Sequence, residues 1–138
     1  MNAKITKDNR KRTGWVRGVA GKHDELRWVA KVYEQGSVHG IGEGRVSKLA
    51  IAVNREPTLA NAVFNYDRGL DTYNIAQNAV DAVLALFPTP VCPKCGSIAI
   101  EGTDYPAGTF VCAECGHRFE EPEERTDSIG FGPDGSAE

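Results

Sequence analysis

No stretch of this 138-residue chain is apolar for long enough to cross a bilayer, which takes about 20 such residues in a helix. The N-terminus, MNAKITKDNRKRTG, has basic residues with no apolar run behind them. It therefore does not read as a secretory signal, and the expectation is a cytoplasmic protein in a reducing compartment with no membrane partner. No cysteine lies outside residues 92–115, and there are only three histidines, His23, His39 and His117. That leaves no spare thiol as a nucleophile. Ser37, His39 and Glu43 share one loop without the spacing of a catalytic set, so no enzyme activity is expected. There is no repeat at solenoid period. The formal net charge of −3 argues against a strongly basic nucleic-acid binder, although the charge is uneven. Residues 1–12 read as a basic flexible arm (Lys4, Lys7, Arg10, Lys11, Arg12), and residues 120–138 as an acidic disordered tail.

Between the two tails, four segments have strand character: 14–21, 25–34, 45–54 and 61–69. The second alternates most clearly, with Leu26, Trp28, Ala30 and Val32 on one side and Arg27, Lys31 and Tyr33 on the other. Period two is the mark of a half-buried strand. The third places Leu49, Ile51 and Val53 opposite Lys48, and the fourth ends in the turn residues Asp67, Arg68 and Gly69. The period then lengthens. Over 71–88, Ile75, Ala79, Val83 and Leu86 form a helical stripe with Asp71 or Thr72 as N-cap, and Pro88 and Pro90 stop it. The expected fold is α+β: a four-stranded antiparallel meander over 13–88 packed on one C-terminal helix, followed by a small zinc ribbon over 89–119.

The ribbon rests on the cysteines. Cys92 and Cys95 form one Cys-x-x-Cys pair, Cys112 and Cys115 a second, with sixteen residues between them. Gly96 and Gly116 follow the pairs, where a positive φ lets backbone N–H groups turn toward sulfur. Two such knuckles joined by a hairpin describe one structural Zn2+ bound by four thiolates. A thioredoxin-like redox pair would need no duplicate, and iron is the alternative metal. Four thiolates close the coordination shell, so the site is not catalytic and His117 is not a ligand. Lys94, Tyr105, Phe110, His117 and Arg118 are the ribbon residues expected at a partner.

Upstream, Gly36, Gly40, Gly42 and Gly44 punctuate a loop between strands. It lacks the G-K-[ST] ending of a phosphate-binding P-loop and the strand–GxGxxG–helix setting of a dinucleotide site. Such a loop either brings a ligand close to the backbone or is a wide hairpin whose glycines serve turns and bulges. The ligand reading puts Arg45, Lys48 and Arg68 around an anion, with Tyr33, Phe64 or Tyr66 to stack on it. The segments KVYEQGSVHGIGEGRVSKL (31–49) and NYDRGLD (65–71) resemble a family of short, uncharacterised bacteriophage proteins, over residues 13–88. The chain departs from it at Leu70, where tryptophan is expected, in a longer NREPTLANA segment, and in the appended ribbon. The resemblance implies a phage origin and host-cell cytoplasm, but no chemistry. The functional expectation is a non-enzymatic binding protein that engages a host protein or a small anionic, nucleotide-like ligand, with the countering of host defence as a role that fits such small accessory proteins. Tyr33, Ser37, Arg45, Lys48, Tyr66 and Arg68 are the contact residues. The alternatives are a nucleic-acid-binding accessory factor, with the basic arm and ribbon on phosphates, and a zinc-stabilised assembly subunit.

Overall fold

The computed structural model describes residues 1–103 and 108–129. Its main body is a six-stranded antiparallel sheet in simple sequence order: β1 (Ala3–Asn9), β2 (Trp15–Ala20), β3 (Leu26–Val32), β4 (Val46–Val53), β5 (Phe64–Asp67) and β6 (Leu70–Tyr73). The expected four-stranded meander is thus wrong at both edges, and the protein is mostly β. The four segments that alternate in sequence are β2 to β5. The supposed arm holds β1, which pairs with β2 from Ala3↔Ala20 to Asn9↔Trp15 and shifts register between Ile5 and Lys7. Its side chains are largely exposed, so no apolar pattern marks it; backbone pairing with a neighbour defines it instead.

At the other edge, β6 takes residues expected to begin the helix. Arg68 adopts φ 60° in the β5–β6 turn, and the Asp67 N–H donates to the Gly69 carbonyl at 2.9 Å. Thr72 and Tyr73 are β-branched and aromatic, suited to a strand. The α-helix, α1, is therefore only Gln77–Leu84. Ala76 caps it without a side-chain hydrogen bond, rather than Asp71 or Thr72. Ala79, Val80, Val83, Leu84 and the following Phe87 are buried against the inner sheet face. That face contributes Val16, Trp28, Ala30, Leu49, Ile51 and Phe64. Trp28 meets Phe87 edge-on at 5.9 Å and donates its indole N–H to the Val19 carbonyl at 3.1 Å. Gly18 makes room for the indole, since a Cβ there would lie 2.4 Å from the Trp28 ring and 2.1 Å from the Lys4 carbonyl oxygen. Each large apolar side chain buried here contributes roughly 1.5–3 kcal/mol.

The C-terminal part is a ribbon held at its base by a clasp. β8 (Ile100–Gly102), β9 (Phe110–Cys112) and β10 (Arg118–Phe119) form a three-stranded sheet around the cysteines. β7 (Thr89–Val91) enters the ribbon and β11 (Glu123–Arg125) leaves it, and these two pair antiparallel. Residues 120–129 of the tail expected to be disordered therefore return to the body; its residues 130–138 lie outside the described residues. Asp127 and Ile129 are buried, and Ile129 joins the main core. Asp81 of α1 accepts hydrogen bonds from the Ser128 hydroxyl and the Ile129 N–H, both at 3.0 Å. Composition misled here because a single apolar residue and two hydrogen-bonding side chains anchor an otherwise acidic segment.

Candidate functional site

The cysteine centre is built twice from the same local bonds. In the first knuckle, Cys92 N–H donates to the Ser97 carbonyl and Gly96 N–H to the Cys92 carbonyl, at 2.9 and 2.8 Å. In the second, Cys112 N–H donates to His117 and Gly116 N–H to Cys112, both at 2.9 Å. Gly96 and Gly116 have φ 78° and 77°, a left-handed conformation that glycine adopts without a steric penalty. Each turn directs an N–H at sulfur: Lys94 to Cys92 Sγ and Cys115 to Cys112 Sγ, each at 3.4 Å.

The four sulfurs lie within 4.8 Å of one another. Cys92 and Cys115 are 3.7 Å apart, and Cys95 and Cys112 are 3.6 Å apart. A disulfide would need about 2.0 Å, whereas thiolates around one tetrahedral metal at about 2.3 Å stand about 3.8 Å apart. The four thiols can therefore hold one metal ion. Their acidities divide as crowded thiols must. The Cys115 N–H is the largest influence on Cys112, whose pKa is lowered to about 7. For Cys95, the Ser97 N–H acts to lower the pKa, but burial and the neighbouring thiols outweigh it and push it up to about 12. His117 lies outside the cluster; its ring stacks on Phe119 at 5.8 Å. Phe110 stacks on the same ring at 5.7 Å. Tyr105 lies outside the described residues.

The glycine-rich loop is not an open cradle. A Cβ on Gly44 would lie 2.1 Å from Asp127 Oδ2 and 2.9 Å from Thr89 Oγ1. On Gly36 it would lie 2.4 Å from the Glu43 carbonyl oxygen and 2.9 Å from Ile98. The loop is the seam against which the clasp and tail pack. Arg125 donates to the Gly42 carbonyl at 3.0 Å and to Asp127 at 3.0 Å, and Thr89 donates a short hydrogen bond to Asp127. Gln35 donates to the Ile100 carbonyl at 2.8 Å, tying the loop to the ribbon. Of the two readings of the loop, these contacts favour the hairpin whose glycines serve close packing.

The anion-binding residues expected from sequence divide into two groups. Arg45 is committed to backbone: Nε donates to the Tyr33 carbonyl at 2.8 Å and Nη1 to the Pro88 carbonyl at 3.1 Å. Burial lowers its pKa, with Arg10 adding to the effect. Lys48 is 3.6 Å from Asp67, Tyr66 donates its hydroxyl to the His39 carbonyl at 3.2 Å, and Phe64 is fully buried and unable to stack on a ligand. Tyr33, Ser37 and Arg68, by contrast, come together with His39 and Ser47 around a hollow of about 360 Å3. Ser47 is the residue that sequence reasoning missed. The β3–β4 register shifts so that Lys31 faces Lys48 and Val32 faces Val46, leaving Ser47 as the extra residue of a bulge. Val46 and Ser47 are consecutively buried as a result, which strict alternation forbids. The Ser47 hydroxyl, on a residue only 4% exposed, has no hydrogen-bond partner among the described residues. Among the described residues Arg68 has no ion-pair partner.

No helix among the described residues is long and apolar enough to cross a membrane. No curated protein and no solved structure matches the chain. A family model does match residues 14–88, the stretch from β2 to the end of the helix that carries the hollow, and its description is Domain of unknown function (DUF7678). The match spans more than half of the chain and stops where the clasp and ribbon begin; the chain belongs to this domain family.

Proposed function

We propose that the family domain is a non-enzymatic binding module for a small phosphorylated ligand, and that the appended ribbon holds one structural Zn2+. The observation that carries the first part is the orphaned Ser47 hydroxyl. A buried hydroxyl without a partner costs about 1–3 kcal/mol, and a ligand oxygen entering the hollow would remove that cost. Around it stand groups that suit a phosphate: the Arg68 guanidinium, without an ion-pair partner among the described residues, the Ser37 hydroxyl and the His39 imidazole. The exposed ring of Tyr33 offers a surface for a base or another planar group. The volume lies at the lower end for small-molecule sites.

Isothermal titration of the full chain with inorganic phosphate and with ribonucleoside 5′-monophosphates tests this reading. Binding is expected to be weakened at least tenfold by Arg68→Ala, since charge-assisted hydrogen bonds contribute about 1.5–3 kcal/mol. Absence of heat with every probe at millimolar concentration would sink it.

Zinc is the metal that four soft thiolates in a closed tetrahedron favour. A reducing compartment would keep those thiols available. Native mass spectrometry of the purified chain should show one zinc ion; iron in its place, with the absorption of an iron–thiolate centre, would correct the metal but not the ligands.

A further inference from the structure

Charge is divided along this chain more sharply than its total suggests. Residues 1–55 contain twelve of the 16 Lys and Arg but five of the 19 Asp and Glu, leaving four and fourteen for the remainder. The first 55 residues are β1 to β4 and their connections, so the excess positive charge lies on one contiguous part of the sheet. Charges farther off than about 8 Å are largely screened at physiological salt, so this local excess governs a contact more than the net −3 does.

The inner sheet face is covered by α1 and the tail. On the outer face, cross-strand pairing sets Trp15 opposite Lys31 and Lys31 opposite Lys48; Val19 lies opposite Arg27. Trp15 is 39% exposed and Tyr33 48% exposed, far more than the other aromatic residues in the core. The Lys31 ammonium lies between them, 5.7 Å from the Trp15 ring centre and 5.9 Å from that of Tyr33. Arg27, Lys31 and Tyr33 lie on one side of β3 and its extension, over about 20 Å at the strand rise per residue. Past Tyr33, at the end of the sheet, a second hollow of about 740 Å3 opens toward the helix side, where Arg10 lies over the Phe87 ring at 5.1 Å and Arg45 donates to the Pro88 carbonyl; Lys11 and Arg12 line it together with Asp8 and Glu34. Asp8 is engaged by Arg10 at 2.6 Å. Lys11, Arg12 and Arg27 are exposed, and none has an ion-pair partner among the described residues.

We infer that this outer face and the sheet end beside it bind single-stranded nucleic acid, with bases stacked on Trp15 and Tyr33 and phosphates against Arg27 and Lys31 on the face and Lys11 and Arg12 at the end. Exposed rings set among cations match an unpaired strand, which offers both π-faces and regularly spaced phosphates. A duplex hides its base faces, and an acidic peptide would use the cations but leave the rings idle. The row is also too long for the small ligand of the Ser47 hollow. This inference stands independently of that reading, although Tyr33 borders both places.

The test is fluorescence anisotropy of a labelled 12-mer of oligothymidylate with the full chain, at 50 and 200 mM salt. Four phosphate contacts should make the fourfold rise in salt weaken binding about 50-fold. Trp15→Ala should weaken it about 5- to 150-fold, and Trp15→Phe should recover most of the loss, because stacking is what is removed. Trp28 is buried, so quenching of the tryptophan emission on binding reports Trp15. Arg68→Ala should leave the affinity unchanged while weakening phosphate binding in the Ser47 hollow at least tenfold. No binding at 50 mM salt, an unchanged affinity in Trp15→Ala, or tighter binding to a duplex of the same length would each overturn the inference. Competition by inorganic polyphosphate as strong as by unlabelled oligothymidylate would do so as well, since it would reduce the contact to charge alone.

Discussion

The cysteine ribbon and the glycine-rich loop are the two most motif-dense parts of this chain, and they behave in opposite ways. In the ribbon, each knuckle is made by residues two to five apart, so spacing translates directly into geometry. In the loop, the meaning of Gly42 and Gly44 depends on residues far away in sequence. Gly44 is small because of Asp127 and Thr89, and Gly36 because of the nearby Glu43 carbonyl as well as the distant Ile98 and Thr89. A glycine signals that something comes close; it does not say whether that is a ligand or the protein's own chain. Here it is the chain, and the candidate ligand site lies beside the loop at a strand bulge.

The largest effect should come from breaking the four-cysteine cluster, which can hold one metal ion. Cys112→Ser is expected to abolish metal binding by native mass spectrometry and to remove hydrogen-exchange protection from 92–119, because in such modules metal binding of about 10–16 kcal/mol is itself folding free energy. The six-stranded sheet should keep its protection. If the sheet melts too, the clasp couples the two regions more strongly than their separate cores imply. Acid should act in the same direction as the mutation. The metal needs thiolates, Cys95 stands near 12 and Cys112 near 7 before the metal binds, so affinity falls as pH falls. A titration with a chromophoric chelator would follow the release.

Gly44→Ala is expected to cost about 1–3 kcal/mol by overpacking against Asp127 and Thr89. It should loosen the tail and leave the metal bound, which sharpens the contrast between a packing glycine and a ligand cysteine. Thermal unfolding and metal content measured on one sample separate the two effects.

Ser47→Ala should go the other way. With no ligand present it removes an unsatisfied buried hydroxyl and is expected to raise stability by up to about 1 kcal/mol, while weakening phosphate binding. A denaturant midpoint that falls would mean that the hydroxyl already has a partner. The smallest change is Asp8→Asn, at well under about 1 kcal/mol for an exposed pair. The Arg10 side chain and N–H hold the Asp8 carboxyl below its usual range. Its contribution is therefore present at neutral pH and is lost as pH falls through the lowered value, so wild type and variant should converge in acid melts.

Much of the sheet was legible in the sequence. β2 to β5 were read from alternation because one face is buried and the other is wet, as with Trp28 and Arg27 on neighbouring positions of β3. β1 was missed because its side chains are mostly exposed, so nothing periodic sets it apart from a flexible arm. The start of the expected helix, with its N-cap candidates Asp71 and Thr72, was lost to β6 through pairing with β5; the apolar stripe begins only at Ile75. Of the six expected anion contacts, three surround the Ser47 hollow; Arg45, Lys48 and Tyr66 are occupied in binding the protein itself.

By itself, then, the sequence determined the four-thiol cluster and the faces of the central strands, since both follow from chemistry repeated at short, regular spacing. Only the tertiary structure decided the sheet edges, the return of the tail through Asp127 and Ile129, the role of the glycines and the bulge that buries Ser47. Each of these depends on backbone pairing or close approach between segments distant in sequence, and neither leaves a period in the side chains.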